Sequence, residues 1–213
     1  SPEEYYLTLG KSLQIEDVIK RHCEIMDRKD PEKHVALMLD EWGTWWDEEP
    51  GTVSGHLYQQ NTMRDAMVAA LTLNIFHKYT DRIKMANIAQ VVNVLQSMIL
   101  TDTEGTGHMV LTPTYHVFKM YAPFQNATCI PLDIQTATRD VEGGKMAQMH
   151  EGSVPFVSAT AAITPSGTTV IALANTSPTE TQQINIDLGT PNAKTASGEN
   201  PTPKHAGDFN DFQ

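Results

Sequence analysis

The chain has 213 residues, 40% of them hydrophobic, enough to bury one sizeable core or two small ones. Its formal net charge of −11 disfavours nucleic acid and anionic membrane surfaces, whereas a neutral polymer such as a polysaccharide meets no such penalty. No apolar stretch is long enough to span a bilayer, and the two cysteines, Cys23 and Cys129, lie far apart in apolar surroundings that suit free thiols better than a disulfide or a metal site.

The chain opens on Ser1 without a visible signal peptide, which points to a preceding portion and leaves periplasmic, secreted and cytoplasmic locations open. Residues 1–29 read as helical. Ser1-Pro2-Glu3-Glu4 has the spacing of a capping box, with proline at the first helical position. Gly10 is expected to break the segment, after which Leu13, Ile15, Val18, Ile19, Cys23 and Met26 recur at helical intervals. Val35–Leu39 is apolar without alternation, as in a strand buried on both faces of a parallel sheet. A polar loop follows from Asp47 to Asn61, with Pro50-Gly51 as its turn signal. Thr62-Met63-Arg64-Asp65 opens the next helix, whose inner stripe is Met63, Met67, Ala70, Leu71, Asn74 and Ile75. Arg82–Ala89 is a second strand, and Thr112-Pro113 starts a helix through Tyr121. The order α-β-α-β-α fits an open parallel sheet or a (β/α) barrel.

The texture changes near Pro123. Runs over 127–136, 154–164, 168–175 and 182–188 are β-branched or alternating, and Pro165-Ser166-Gly167 signals a hairpin between two of them. This predicts an antiparallel β-sandwich over 123–213, ending in a loosely ordered tail from Pro191. Asn126-Ala127-Thr128 and Asn175-Thr176-Ser177 match the glycosylation sequon, a pattern common by chance.

The stretch HVALMLDEWGTWW, residues 34–46, runs a strand into two carboxylates and three tryptophans. In a (β/α) barrel the working residues stand at the C-terminal ends of strands, where Glu41 falls. Strand alternation sends Asp40 and Glu41 opposite ways, so the two are not a catalytic pair by themselves. Retaining glycoside cleavage requires two carboxylates about 5–5.5 Å apart. Indoles such as Trp42, Trp45 and Trp46 suit the C–H faces of sugars, although tryptophans are equally at home in cores. The eight histidines show no metal-ligand spacing. His56 reads as a solvated loop residue, His77 as a cation at a helix C-terminus, and His116 as structural. The methionines read as core filler, residues 102–107 as a hairpin or loop tip, and Asp47, Glu48 and Glu49 as a solvated rim.

The blocks LMLDEWGTWW (37–46), LYQQNTMRDAMVAALTLNIFHKYTDRIKMANIAQVVNVLQSMILTD (57–102) and LTPTYHVFKMYAPFQNATCIPL (111–132) resemble glycoside hydrolase family 51, the retaining α-L-arabinofuranosidases. The likeness covers most of residues 3–135. It implies an α/β plus all-β chain: the C-terminal portion of a (β/α)₈ TIM barrel over 1–122, with the last two barrel strands, followed by an antiparallel β-sandwich over 123–213. By position it makes Glu41 the nucleophile, Trp45 a wall of the arabinose subsite, Gln90 a hydrogen-bonding partner of the sugar, and Trp42 a packing residue that positions Glu41. Gly43 stands where many relatives carry Asn. Trp46 stands where Tyr is frequent and is given no role. The family's acid/base glutamate follows an Asn at the end of an earlier strand, and no Asn-Glu pair occurs here. The resemblance therefore implies that this glutamate and the remaining barrel portion lie outside the chain, which alone would be inactive. It implies no cofactor and no metal. The expected partners are an arabinose-containing polysaccharide or oligosaccharide, the rest of the barrel, and further copies in a hexamer. Two rival readings are an endo-acting β-glucanase or xylanase of the same barrel type, and a non-catalytic carbohydrate-binding fragment. The absence of tryptophan beyond Tyr121 weighs against the second.

Overall fold

Helix α1, Pro2–Leu13, starts with the expected capping box. The Glu4 N–H donates to Ser1 Oγ at 3.2 Å, and the backbone nitrogen of Ser1 donates to Glu4 Oε2 at 2.8 Å. These contacts belong to a computed structural model that describes residues 1–102, 105–141, 152–189, 195–201 and 203–212. Gly10 does not break the helix. It faces two β-strand residues, and a Cβ there would meet Val154 at 3.7 Å and Val141 at 3.9 Å, ordinary contact distances. The division falls at Gln14, before α2, Ile15–Lys29.

Strand β1 is Leu37–Trp42, helix α3 is Met63–Lys78, and strand β2 is Ile83–Ile88. The two strands pair in parallel, as strand-helix-strand order requires. The β1 run is not buried on both faces, contrary to its apolar composition. Leu37 and Leu39 pack on the core, but Val35 is 60% exposed, Met38 48%, and Met85 of β2 43%. Among the described residues β1 and β2 have only each other as sheet partners, so one face and both outer edges lack cover.

A short hairpin, β3 Ile99–Thr101 and β4 Met109–Leu111, follows, so of the two readings of residues 102–107 the hairpin holds. In its loop, Asp102 accepts from the N–H groups of Thr106 and His108, bonds that help pull its carboxyl down to about 2. Thr112 caps α4, Pro113–Tyr121, and a 3₁₀ turn covers Ala122–Phe124.

Beyond it lie β5 Thr128–Ile130, β6 Thr138–Val141, β7 Gly152–Pro155, β8 Val157–Ile163 and β9 Thr169–Asn175. They form a three-stranded antiparallel sheet, β5-β8-β9, and a β6-β7 hairpin. The predicted turn closes β8 to β9, with Gly167 at φ +84°. Two expected runs shrink or vanish. Only three residues of 127–136 form a strand, and 182–188 forms none, leaving Ile186 52% exposed. Alternation marks a segment able to line a sheet, but a strand needs an edge to pair with. The start of the tail, 191–194, lies outside the described residues. Its later part is tied down: Ala206 O and Asp208 O accept from the Arg64 and Met63 N–H groups, both at 2.9 Å.

One hydrophobic cluster joins these elements, running from Leu9 and Ile19 through Trp42, Leu71 and Phe76 to Val141, Val154 and Ala174. It crosses the boundary expected at residue 122. Arg82, 1% exposed, locks α2 to the entry of β1. It donates to Asp27 Oδ1 at 2.8 Å, Asp30 Oδ2 at 2.7 Å and Val35 O at 2.9 Å. The Val35 N–H and the Arg82 guanidinium hold the Asp30 carboxyl well below the usual carboxylate range.

Candidate active site

Glu41 stands near the C-terminal end of β1, and the ladder there is irregular. Leu39 pairs with Ala86 and Trp42 with Ile88, so Asp40 and Glu41 together stand opposite Asn87. An extra residue of this kind bends a strand and re-aims its side chains. It returns Trp42 to the core side, where Leu39 also packs, and leaves both carboxylates exposed. Simple alternation therefore does not describe the Asp40–Glu41 step. Trp42 anchors the strand end: its ring meets Phe76 of α3 edge-on at 5.3 Å and stacks on Phe118 of α4 at 5.9 Å. This is the packing position expected of it.

Glu41 and Trp45 line the same open pocket, about 220 Å³ in volume, together with Gly43, Thr44, Ala89 and Leu95. Gln90 does not join them in that lining. It is exposed, its backbone N–H donates to Val94 O at 3.0 Å, and its neighbour Ala89 bonds to Trp42 O at 2.8 Å. Gly43 has φ +134°, and a Cβ there would sit 3.2 Å from Gln96 Oε1 and 3.3 Å from Ile88 Cδ1. Glycine at this position answers to both conformation and space.

Behind the pocket is a buried polar lattice that the sequence reading missed. Asp65, with 0% exposure, accepts at Oδ1 from Thr44 Oγ1 at 2.9 Å and from Trp46 Nε1 at 2.7 Å. Its Oδ2 accepts from the Thr62 N–H at 2.7 Å. Gln96 Oε1 accepts from the Thr44 N–H, and Gln59 Oε1 from the Trp46 N–H, both at 2.8 Å. The Thr-x-x-Asp spacing marks Asp65 as a helix cap, but nothing local reveals that its other oxygen serves a loop twenty residues earlier. Glu48 and Glu49 are likewise not a solvated rim. Their carboxylates accept from the Leu57 N–H at 2.7 Å and the Gln60 N–H at 3.1 Å, which staples the loop after β1.

His77 stands in the last turn of α3, but its surroundings disfavour the cation expected there. Burial pushes its pKa down, its Nδ1 lies 3.1 Å from Thr160 Oγ1, and its ring packs 5.0 Å from Phe124. His56 is exposed in its loop, and both cysteines are free. Among the described residues no cluster of His, Cys, Asp and Glu has the arrangement of a metal site, and no helix is long and apolar enough to cross a membrane.

The chain is similar to known proteins. The model for the α-L-arabinofuranosidase C-terminal domain matches residues 40–213. Over 211 residues the chain is 56% identical to an intracellular exo-α-L-arabinofuranosidase of Bacteroides ovatus, an alignment that takes in 99% of this chain and 39% of that protein. The crystal structure of a GH51 arabinofuranosidase from Xanthomonas axonopodis pv. citri superposes with a TM-score of 0.72 at 47% identity, over 81% of this chain and 33% of the other. An α-L-arabinofuranosidase from Thermotoga maritima, solved as an arabinose complex, shares the fold with a TM-score of 0.64 at 24% identity, over 80% and 35% of the two chains. The chain thus spans well under half the length of these relatives. It belongs to the glycoside hydrolase family 51 α-L-arabinofuranosidases, with residues 40–213 corresponding to their C-terminal domain.

Proposed function

We propose that the chain supplies the nucleophile half of a retaining, exo-acting α-L-arabinofuranosidase that releases arabinose from arabinoxylan, arabinan or their oligomers. The observation that carries this reading is the meeting of Glu41 and Trp45 in one open pocket at the C-terminal end of a parallel strand. Glu41 attacks the anomeric carbon, and the bond to the leaving oxygen breaks as a second glutamate, outside this chain, protonates that oxygen. The resulting arabinosyl ester on Glu41 is then cleaved by water, from which the second glutamate takes a proton, so the anomeric configuration is retained. Trp45 offers its exposed indole to the sugar face, and Gln90 donates to a sugar hydroxyl from the adjacent strand end.

The remaining barrel portion is the proposed partner of the β1-β2 sheet. Two edges unpaired among the described residues and the exposed side chains of Val35, Met38 and Met85 make a surface that needs strands on either side and filling within. In the same reading residues 123–213 belong to a β-sandwich, and the whole protein assembles as a hexamer.

The test uses the full-length protein and an aryl α-L-arabinofuranoside. Glu41→Ala should fold yet lose nearly all turnover, and azide should restore part of it by entering where the carboxylate was. Near-native turnover in this variant would remove Glu41 from the mechanism. Faster release from an aryl β-xyloside than from the arabinofuranoside would move the substrate assignment to the xylanase reading.

A further inference from the structure

We propose that Asp65 is a positioning residue for the sugar platform, fixing Trp45 by gripping the residues on either side of it. The proposal rests on the reading of Trp45 as the indole that faces the sugar. Trp45 is 67% exposed, so packing alone does not set its orientation. Its two neighbours converge on one atom: Asp65 Oδ1 accepts from Thr44 Oγ1 at 2.9 Å and from Trp46 Nε1 at 2.7 Å. The carboxylate cannot swing, because Oδ2 is engaged by the Thr62 N–H at 2.7 Å and the Thr62 hydroxyl at 3.1 Å. Arg64 closes the far side, its guanidinium 3.9 Å above the Trp46 ring.

The backbone repeats the pattern. The N–H groups of Thr44 and Trp46 are held by Gln96 and Gln59 at 2.8 Å each, and Gln96 Nε2 donates in turn to Asp65 O at 2.7 Å. Bonds to a charged, water-excluded acceptor are among the stronger ones, and their geometry is narrow. A capping acid needs only its own helix start to satisfy it. Asp65 uses one oxygen for that and aims the other at the loop that bears Trp45. An exposed indole on such a frame is set in place before a sugar arrives, which lowers the entropy lost on binding.

The experiment labels the full-length protein with 5-fluorotryptophan and deletes one donor to Oδ1 at a time, by Trp46→Phe and by Thr44→Val. The Trp45 fluorine resonance, identified by its loss in Trp45→Phe, should broaden or shift in both variants. KM for an aryl arabinofuranoside should rise about fivefold to tenfold, with kcat changed less than about twofold, because an interaction common to ground and transition states is lost. In a Trp45→Ala background the same replacements should change KM less than about twofold. A Trp45 resonance unmoved in both variants overturns the proposal. So do equal KM penalties with and without Trp45, which would assign Asp65 to general stability. An unmodified protein inactive on arabinofuranosides would sink the functional reading, and the resonance would still decide the role of Asp65.

Discussion

The two main sheets of this chain obey different rules. β8 and β9 pair without a slip over seven residues, from Val157 opposite Asn175 to Ile163 opposite Thr169. β1 and β2 are six residues each, yet their register slips twice. A regular ladder satisfies every backbone group and is indifferent to which side chains it presents. A slip forfeits ladder bonds, and it persists where a side chain must be turned to a particular place. The antiparallel sheet holds α3 through Asn74–Ser158, at 3.0 Å, and His77–Thr160. The parallel pair carries Glu41, the pocket and the polar lattice behind it. The comparison separates a sheet that supports from a sheet that presents.

The sharpest way to break that separation is to exchange for alanine a carboxylate of the parallel pair and one of the β6-β7 hairpin outside it. Glu41→Ala should lower turnover of an aryl arabinofuranoside by roughly 10⁴-fold in the full-length protein. Asp140→Ala, on the exposed part of β6, should stay within about twofold. Comparable losses from both would deny the parallel pair its special role.

Core anchoring comes next. Trp42→Ala removes the ring wedged between Phe76 and Phe118 and should cost about 3–5 kcal/mol in urea unfolding. Leu173→Ala, on the exposed side of β9, should cost about 0.5 kcal/mol. A smaller loss at Trp42 than at Leu173 would mean that the strand end is held by something other than its indole.

Glycines give a finer contrast. Gly43→Ala must accommodate φ +134° and a Cβ at 3.2 Å from Gln96 Oε1, for about 1–3 kcal/mol. Gly167→Ala, in the β8-β9 turn with open space around it, should cost about 1 kcal/mol from its φ of +84° alone. Thermal midpoints of the two variants would rank them.

The smallest effect is a pH dependence at the supporting sheet. Burial lowers the pKa of His77 below its ordinary 6.5, so the unfolded chain binds its proton first as the pH falls. The stability that neutral His77 contributes is complete above pH 6.5 and is lost as the pH falls through the lower folded value. His77→Phe should flatten the slope of unfolding free energy just below pH 6.5. An unchanged slope would mean that the ring is as solvated in the folded protein as in the unfolded one.

Much of this was legible before any coordinates. The caps at Ser1 and Thr112, the strand-helix-strand order and the turn at 165–167 rest on interactions between near neighbours, and composition announces such interactions. The run around Glu41 was recognisable for the same reason, as a contiguous block. Gly10 misled because a single glycine weakens a helix without ending it, and α1 continues through it to Leu13. The 182–188 run misled because alternation records a preference for a half-buried strand without recording whether an edge exists to meet it. Glu48 and Glu49 misled because a carboxylate stapling a loop and one facing water share a sequence.

By itself the sequence determined the helices and the β1, β2, β8 and β9 strands, placed a carboxylate at a strand end, and put indoles beside it, since these follow from period, caps and adjacency. Only the tertiary structure decided that β1 would slip and aim both acids outward, that Gln90 would stand outside the pocket lining, and that Asp65 would serve Thr44 and Trp46. The physical reason is distance along the chain. A hydrogen bond across nineteen or twenty-one residues depends on how α3 docks against the loop after β1, and that docking is set by the whole core around Trp42, Leu71 and Phe76.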